Sequence, residues 1–238
     1  MFQRADGMNY APQGKPKPVV QPGEFLVAAA GLDHGHIYGM CNGLAEAGAQ
    51  ITWVYDPDPI KVARFLEVFP TARAATGLKA ILDDPHIHLV ASAGIPNRRC
   101  ELGLQVMAHG KDYFSDKPPL TTLQQLDDAR RLTAETGRKY AVYYSERLHV
   151  EAAVYAEQLV AGGAIGRVVQ VVNLAPHRLS AANRPEWFWQ PEQYGGIITD
   201  IGSHQIEQFL FYAGAQDAQI LHSATGNYHT PQYPAFED

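Results

Sequence analysis

From residue 24 to about residue 144, short runs of β-branched and aromatic residues alternate with segments of helical length. That alternation limits the chain to parallel strands joined by helical crossovers, because a parallel pair cannot be closed by a tight turn. Residues 25–30 (FLVAAA), 51–55 (ITWVY), 88–92 (HLVAS), 112–115 and 140–144 read as strands. Residues 36–47, 58–69, 78–82, 97–109 and 121–136 read as helices, three of them followed by Gly48, Gly110 and Gly137 where a left-handed cap belongs. After about residue 148 the alternation stops. A helix over 150–160, a long β-branched run over 168–174 (VVQVVNL), a loop rich in Pro, Trp and Asn, an amphipathic helix over about 201–212 and a strand-like run over 219–224 predict a separate domain. The expected fold class is therefore α/β: an N-terminal Rossmann-like parallel sheet over residues 24–147, then an incomplete α+β domain with an open sheet over 148–238. Residues 1–23 read as an arm.

Composition removes several classes of function. A hydrophobic share of 46% with 18% charged residues is that of a globular chain. The apolar runs fall far short of the roughly 20 residues of a bilayer helix, so no membrane partner is expected. With a net charge of −6 and no Lys/Arg run, no nucleic-acid partner is expected either. Cys41 and Cys100 form neither a CxxC motif nor a disulfide framework, and the arm has no apolar h-region, so a cytoplasmic location is expected.

The first strand runs into Gly31-Leu32-Asp33-His34-Gly35-His36, the place of a phosphate-binding turn. The G-x-G-x-x-G pattern is incomplete, since Asp33 and His36 stand at two of its glycine positions. Asp33 would repel a pyrophosphate unless its carboxylate turned away, and His34 and His36 could offset it. An ordinary strand-to-helix turn is the plain alternative. Asp56 ends the second strand, where a carboxylate accepts from ribose hydroxyls and repels a 2′-phosphate; NAD is thus favoured over NADP. Ser115-Asp116-Lys117-Pro118 follows a strand, which puts Lys117 at the carboxyl edge of the sheet. Asp200 and His204, four apart with Gly202 between them, would share one face of a helix, a spacing suited to an acid orienting an imidazole. A helix start with a capping Asp and a solvated His would look the same. Arg147, His177 and Trp187 are candidates for substrate contact. The His34/His36 and His86/His88 pairs lack partners at ligand spacing, so no metal is expected.

Together these pieces resemble the Gfo/Idh/MocA family of nicotinamide-dependent oxidoreductases from about residue 24 onward. Asp116-Lys117-Pro118 matches that family's Glu-Lys-Pro, Pro96-Asn97 its Pro-Asn pair, and Asp200-x-Gly202-x-His204 its D-x-G-x-H, in the same order. Asp116 is one methylene shorter than the usual Glu, and Cys100 stands where many members have His. The resemblance implies NAD as cofactor, held by Gly31, Leu32, Asp33, His34, Asp56, Pro96, Asn97, Asp116 and Lys117. It implies Lys117 and His204 at the reacting carbinol of a sugar or polyol, with Asp200 beside them. It also implies a homo-oligomer, and a second-domain sheet with more strands than the run to Asp238 supplies; the part after 148 is therefore expected to be incomplete, prone to association and weak in catalysis. A non-catalytic NAD- or sugar-binding module and a metal-dependent lyase or hydrolase are the rival readings.

Overall fold

A computed structural model describes residues 17–238, so residues 1–16 of the expected arm lie outside the described residues. Contacts divide the described chain into two compact units, residues 17–143 with 192–195 and residues 144–191 with 196–238.

The first unit carries one parallel sheet. Its strands are β1 (Leu26–Ala30), β2 (Gln50–Tyr55), β3 (Arg73–Ala74), β4 (Leu89–Ser92), β5 (Asp112–Asp116) and β6 (Tyr140–Tyr143), in the spatial order β3-β2-β1-β4-β5-β6. The helices between them are α1 (His36–Glu46), α2 (Pro59–Val68), α3 (Leu78–Asp83), α4 (Pro96–Ala108) and α5 (Leu123–Thr136). Strand order reverses between β1 and β4, and in doubly wound sheets ligands bind outside the carboxyl ends of strands at such a point. The expected Rossmann architecture is thus what the chain forms. The short edge strand β3 was not among the expected elements.

β1 is apolar throughout because a central parallel strand is covered on both faces. Val27 and Ala29 pack with Ile37, Met40, Cys41 and Phe65 on one face, while Ala28 and Ala30 pack with Ile81, Val90, Val106 and Met107 on the other. Local chemistry sets the helix ends. Asp58 caps α2 by accepting from Ile60 N at 2.9 Å, with Pro59 as the first helical residue, and Thr122 caps α5 by accepting from Gln125 N at 3.2 Å. Gly137, with φ 65°, ends α5.

Gly103 of α4 lies where a Cβ would come 2.6 Å from Tyr113 Cδ1 and 2.9 Å from Tyr140 Cε2. Both rings are tethered, Tyr113 Oη donating to Arg99 O and Tyr140 Oη to Pro119 O, each at 2.9 Å. Gly103→Ala is therefore expected to destabilise the protein by about 1–3 kcal/mol, despite alanine's better helix propensity. Urea denaturation checks this; an unchanged or raised midpoint would show that α4 can retreat from β5.

The second unit is helical and irregular. It holds α6 (Ser145–Leu148), α7 (Glu151–Ala161), 3₁₀ turns at Ala181–Asn183 and Glu186–Trp189, a π-turn at Ile198–Gly202 and α9 (Ser203–Ala213); α8 (Pro191–Tyr194) leads out of it. Its apolar centre is aromatic: Trp189 stacks on Tyr233 at 3.6 Å, and Phe188 tilts against Phe236 at 5.6 Å.

Two expected strands of this unit are corrected. Residues 168–174 and 219–224 form no ladder among the described residues. β propensity becomes a strand only when a neighbour supplies the facing donors and acceptors, and no described segment does so here. Val169, Val172, Leu174 and Leu221 accordingly stand exposed. The helix expected from 201 is also modified, because a π-turn precedes α9 and the Asp200 to His204 stretch is not one continuous α-helix. No described helix is long and apolar enough to cross a membrane.

Candidate active site

In the first unit, the turn from β1 to α1 is held by backbone contacts. Gly31 has φ +73°, and a Cβ there would lie 3.0 Å from Ser92 Oγ and 3.3 Å from Gly94 Cα, so glycine meets both a conformational and a steric need. His34 N donates to Ala93 O at 2.8 Å. The Asp33 carboxylate is held by two donors: Oδ1 accepts from Lys61 Nζ at 2.6 Å and Oδ2 from Ile95 N at 3.2 Å. The repulsion expected of an Asp at a glycine position is thereby relieved.

Asp56 is buried at the end of β2. Its Oδ2 accepts from Leu32 N at 2.7 Å and its Oδ1 from Asp58 N at 2.9 Å, while Lys61 Nζ stands 3.8 Å away. The carboxylate is oriented by the backbone, as a ribose acceptor must be.

Behind the turn lies a buried charged cluster. Asp116 Oδ1 meets His36 Nδ1 at 2.7 Å and accepts from Lys117 N at 2.8 Å; Oδ2 accepts from Arg99 Nη2 at 3.1 Å and has His34 Nδ1 at 3.5 Å. Burial alone would push the Asp116 carboxyl up, but the His36 ring and the Arg99 guanidinium override it and hold it well below the usual carboxylate range. Burial, and then His36, hold the His34 imidazole well below its ordinary value, so it is neutral. Arg99 is 1% exposed. Its Nε donates to Gly94 O at 2.7 Å, and its Nη1 donates to Pro118 O at 3.0 Å and to Lys117 O. One guanidinium thus fastens the loops after β4 and β5 together. Lys117, 7% exposed, follows β5 in a turn with a cis Lys117–Pro118 peptide.

Pro96 and Asn97 open α4. Asn97 Nδ2 donates to Glu192 O at 3.1 Å, its backbone carbonyl accepts from Gln125 Nε2 at 2.8 Å, and its buried Oδ1 has no hydrogen-bond partner among the described residues. Cys100 donates to Gln125 O, and burial pushes its thiol up to about 11, which makes it a structural residue rather than a nucleophile. Among the described residues, His34, His36 and Asp116 bring three possible ligand atoms within 4.8 Å of one another. Those atoms already bond to each other, to Arg99 and to the backbone, which is the pattern of a hydrogen-bonded cluster. His88 Nδ1 accepts from Leu26 N at 3.0 Å and its ring stacks on Phe25.

In the second unit, His204 is 3% exposed in the first turn of α9, with the Tyr144 ring edge-on at 5.9 Å. Asp200, also buried, sits in the π-turn, a feature that often marks functional sites. A further carboxylate stands at the imidazole: Glu146 Oε1 is 3.9 Å from His204 Nε2 and 3.0 Å from His177 Nε2. Arg147 is placed otherwise than expected. Its guanidinium pairs with Glu207 at 2.6 Å and Glu157 at 3.3 Å and lies 3.9 Å over the Phe211 ring, so it braces α6, α7 and α9. His177 borders a cavity of about 680 Å³ shared with Arg178, Arg184, Phe188 and Thr230, a volume within the ordinary range for small-molecule sites. Trp187 packs edge-on against Phe188. Burial lowers the Arg184 pKa, and Asp200 opposes that shift.

Sequence reasoning missed Arg99, Lys61 and Glu146. A signal for Arg99 existed: Pro96, Arg99, Cys100, Gly103, Val106 and Met107 form one buried helical stripe, so Arg99 falls on the core face. Nothing local marks Glu146.

A family model described as an oxidoreductase family with an NAD-binding Rossmann fold matches residues 30–144, and the GFO/IDH/MocA C-terminal domain model matches residues 153–237. The chain is 26% identical over 149 residues to a D-xylose dehydrogenase of Paenarthrobacter nicotinovorans, covering 60% of this chain and 38% of that protein. It is 25% identical to a scyllo-inositol 2-dehydrogenase (NADP(+)) of Bacillus subtilis (strain 168), covering 69% of this chain and 46% of that one. A crystal structure from Erwinia carotovora atroseptica is 48% identical with a TM-score of 0.86, covering 90% of this chain and 64% of that chain. A levoglucosan dehydrogenase in complex with NADH shares the fold at 19% identity, with a TM-score of 0.65 over 80% of this chain and 54% of that one. The chain thus spans less than half the length of these two curated relatives. With its strand order and both domain models in agreement, the chain belongs to the GFO/IDH/MocA oxidoreductase family and carries that family's NAD-binding Rossmann domain.

Proposed function

We propose that this protein is an NAD-dependent dehydrogenase that oxidises a secondary alcohol of a sugar or polyol. The observation that carries the reading is the carboxyl end of β1, β4 and β5, where Gly31, oriented Asp56 and clamped Asp116-Lys117 lie around the strand-order reversal. The names of the relatives, a xylose, an inositol and a levoglucosan dehydrogenase, support the substrate class.

A dinucleotide fits this end of the sheet. Gly31 and Gly94 approach closely without side chains between them, Asp56 is aimed by two backbone donors, and the orphaned Asn97 Oδ1 is an acceptor in need of a partner. Bound NAD supplies the hydride acceptor at its nicotinamide. The protein's own residues do the rest. Asp56 would accept from the adenosine ribose, Leu32 to His34 would hold the diphosphate, and Pro96 and Asn97 would hold the nicotinamide ribose. The resemblance assigns Lys117 and His204 to the reacting carbinol, where Lys117 would favour the alkoxide-like oxygen and His204 would take the hydroxyl proton. Asp200 favours the imidazolium that then forms.

Because Asp56 is anionic and buried, NAD is expected to bind at least about tenfold more tightly than NADP, a difference of about 1.4 kcal/mol. Calorimetry with both cofactors, followed by NADH formation against a sugar and polyol panel, tests the proposal. Equal or tighter NADP binding would overturn the preference. Tight NAD binding with no turnover across the panel would favour a non-catalytic binding module.

A further inference from the structure

His204 is enclosed, yet a proton taken from a substrate hydroxyl has to reach water. We propose that Glu146 and His177 form its exit, with the two imidazoles sharing a proton through one carboxylate oxygen; this rests on His204 being the base. Glu146 Oε1 lies 3.0 Å from His177 Nε2 and 3.9 Å from His204 Nε2, so the same oxygen faces both rings. Side-chain exposure rises along the series, 4% at His204, 25% at Glu146 and 38% at His177, from interior to solvent.

The contacts of His177 suit a donor at each ring nitrogen. His177 Nδ1 is 2.9 Å from Ala175 O, and a carbonyl only accepts, so Nδ1 carries a hydrogen. Nε2 lies at bonding distance from a carboxylate oxygen, which also only accepts when ionised, so it carries a hydrogen as well. With Glu146 ionised, these contacts suit a His177 imidazolium, loaded with the proton it would release. The other oxygen, Glu146 Oε2, accepts from Gln205 Nε2 and Gln208 Nε2 at 3.3 Å each, which holds the carboxylate between the rings. The 3.9 Å gap to His204 closes to a hydrogen bond with a side-chain shift of about 1 Å.

The proton path balances. When the substrate O–H breaks, His204 gains the proton. His177 loses its Nε2 proton to water and keeps Nδ1–H, and Glu146 Oε1 then takes a proton from His204 Nε2 and delivers it to the vacated His177 Nε2. The net result is one proton in water for each hydride moved. Among the described residues, the charged or titratable groups near this cluster include Tyr144 at the head of α6 and the Arg147–Glu207 pair with Glu157 of α7, and Asp200 lies four residues before His204 in the chain.

Imidazole nitrogen NMR on the full ¹⁵N-histidine-labelled chain at neutral pH tests the link without any substrate. In the unmodified protein both His177 nitrogens should be protonated. In Glu146→Gln, which keeps the shape but cannot hold the proton, His177 should revert to its neutral Nδ1–H form and the His204 pattern should change with it. A neutral His177 in the unmodified protein, or a His204 spectrum unmoved by Glu146→Gln, would overturn the proposal. Where the panel yields turnover, His177→Ala should lower kcat about tenfold with KM unchanged, and added imidazole buffer should restore it. A loss that buffer leaves in place would overturn the exit role. Absence of turnover would count against the dehydrogenase reading, while the nitrogen spectra would still decide the coupling.

Discussion

Arg99→Met is expected to cost about 3–5 kcal/mol of folding free energy, a large share of the roughly 5–15 kcal/mol available to a domain. The methionine fills much of the same space, so the cost comes from charge. Asp116 would stay buried with its guanidinium partner gone, and Gly94 O and Pro118 O would lose their donor. Chemical denaturation at neutral pH measures the loss. The sign of its pH dependence follows from Asp116, whose folded-state carboxyl lies well below its ordinary range. A depressed carboxyl contributes stability that is fully present above the unfolded value of about 3.9 and is lost as pH falls through the folded value. The gap between the unmodified protein and Arg99→Met should therefore be widest near neutrality and narrow below about pH 4, where protonation relieves the stranded charge in the variant. A gap that stayed constant with pH would mean that Arg99 contributes through packing and backbone contacts alone.

Lys117→Ala and His204→Ala should each lower turnover on a confirmed substrate by about 10² or more, the scale of general acid–base catalysis. NAD affinity should change little for the histidine variant, since His204 belongs to the second unit and the cofactor to the first. Initial rates of NADH formation beside cofactor titrations separate the two effects. Near-normal turnover in His204→Ala would remove it from the mechanism, and the proton exit with it.

The sheet was largely legible because its strands are buried on both faces and so are written as unbroken apolar runs. Residues 25–30, 51–55 and 88–92 each overlap the strand observed there. Gly48, Gly110 and Gly137 marked helix ends correctly because a left-handed backbone needs a residue without Cβ, and all three have positive φ. The two-residue β3 was too short to leave a pattern. Residues 168–174 show the opposite failure, since their β-branched composition records a preference that only a partner strand can realise. In the site, the motif residues Asp116, Lys117 and His204 could be found by spacing, whereas the groups that orient them could not. Arg99 lies 17 residues from Asp116 and Glu146 lies 58 residues from His204, separations that only the folded chain removes. Asp33 was visible as a departure from the glycine pattern, but Lys61, which explains how it is tolerated, was not.

That departure has a thermodynamic side. A glycine-rich turn gains its backbone freedom at the expense of order, and part of the free energy of cofactor binding then goes into fixing it. Here Asp33 is tied to Lys61 on α2 and to Ile95 N after β4, so the turn, a helix and a second loop are cross-linked by a side chain that glycine would not provide. The entropy of arranging them is lost when the protein folds, not when the dinucleotide arrives. If the dinucleotide binds here as proposed, it would meet a finished shape, and association is expected to proceed without a separate step of loop ordering.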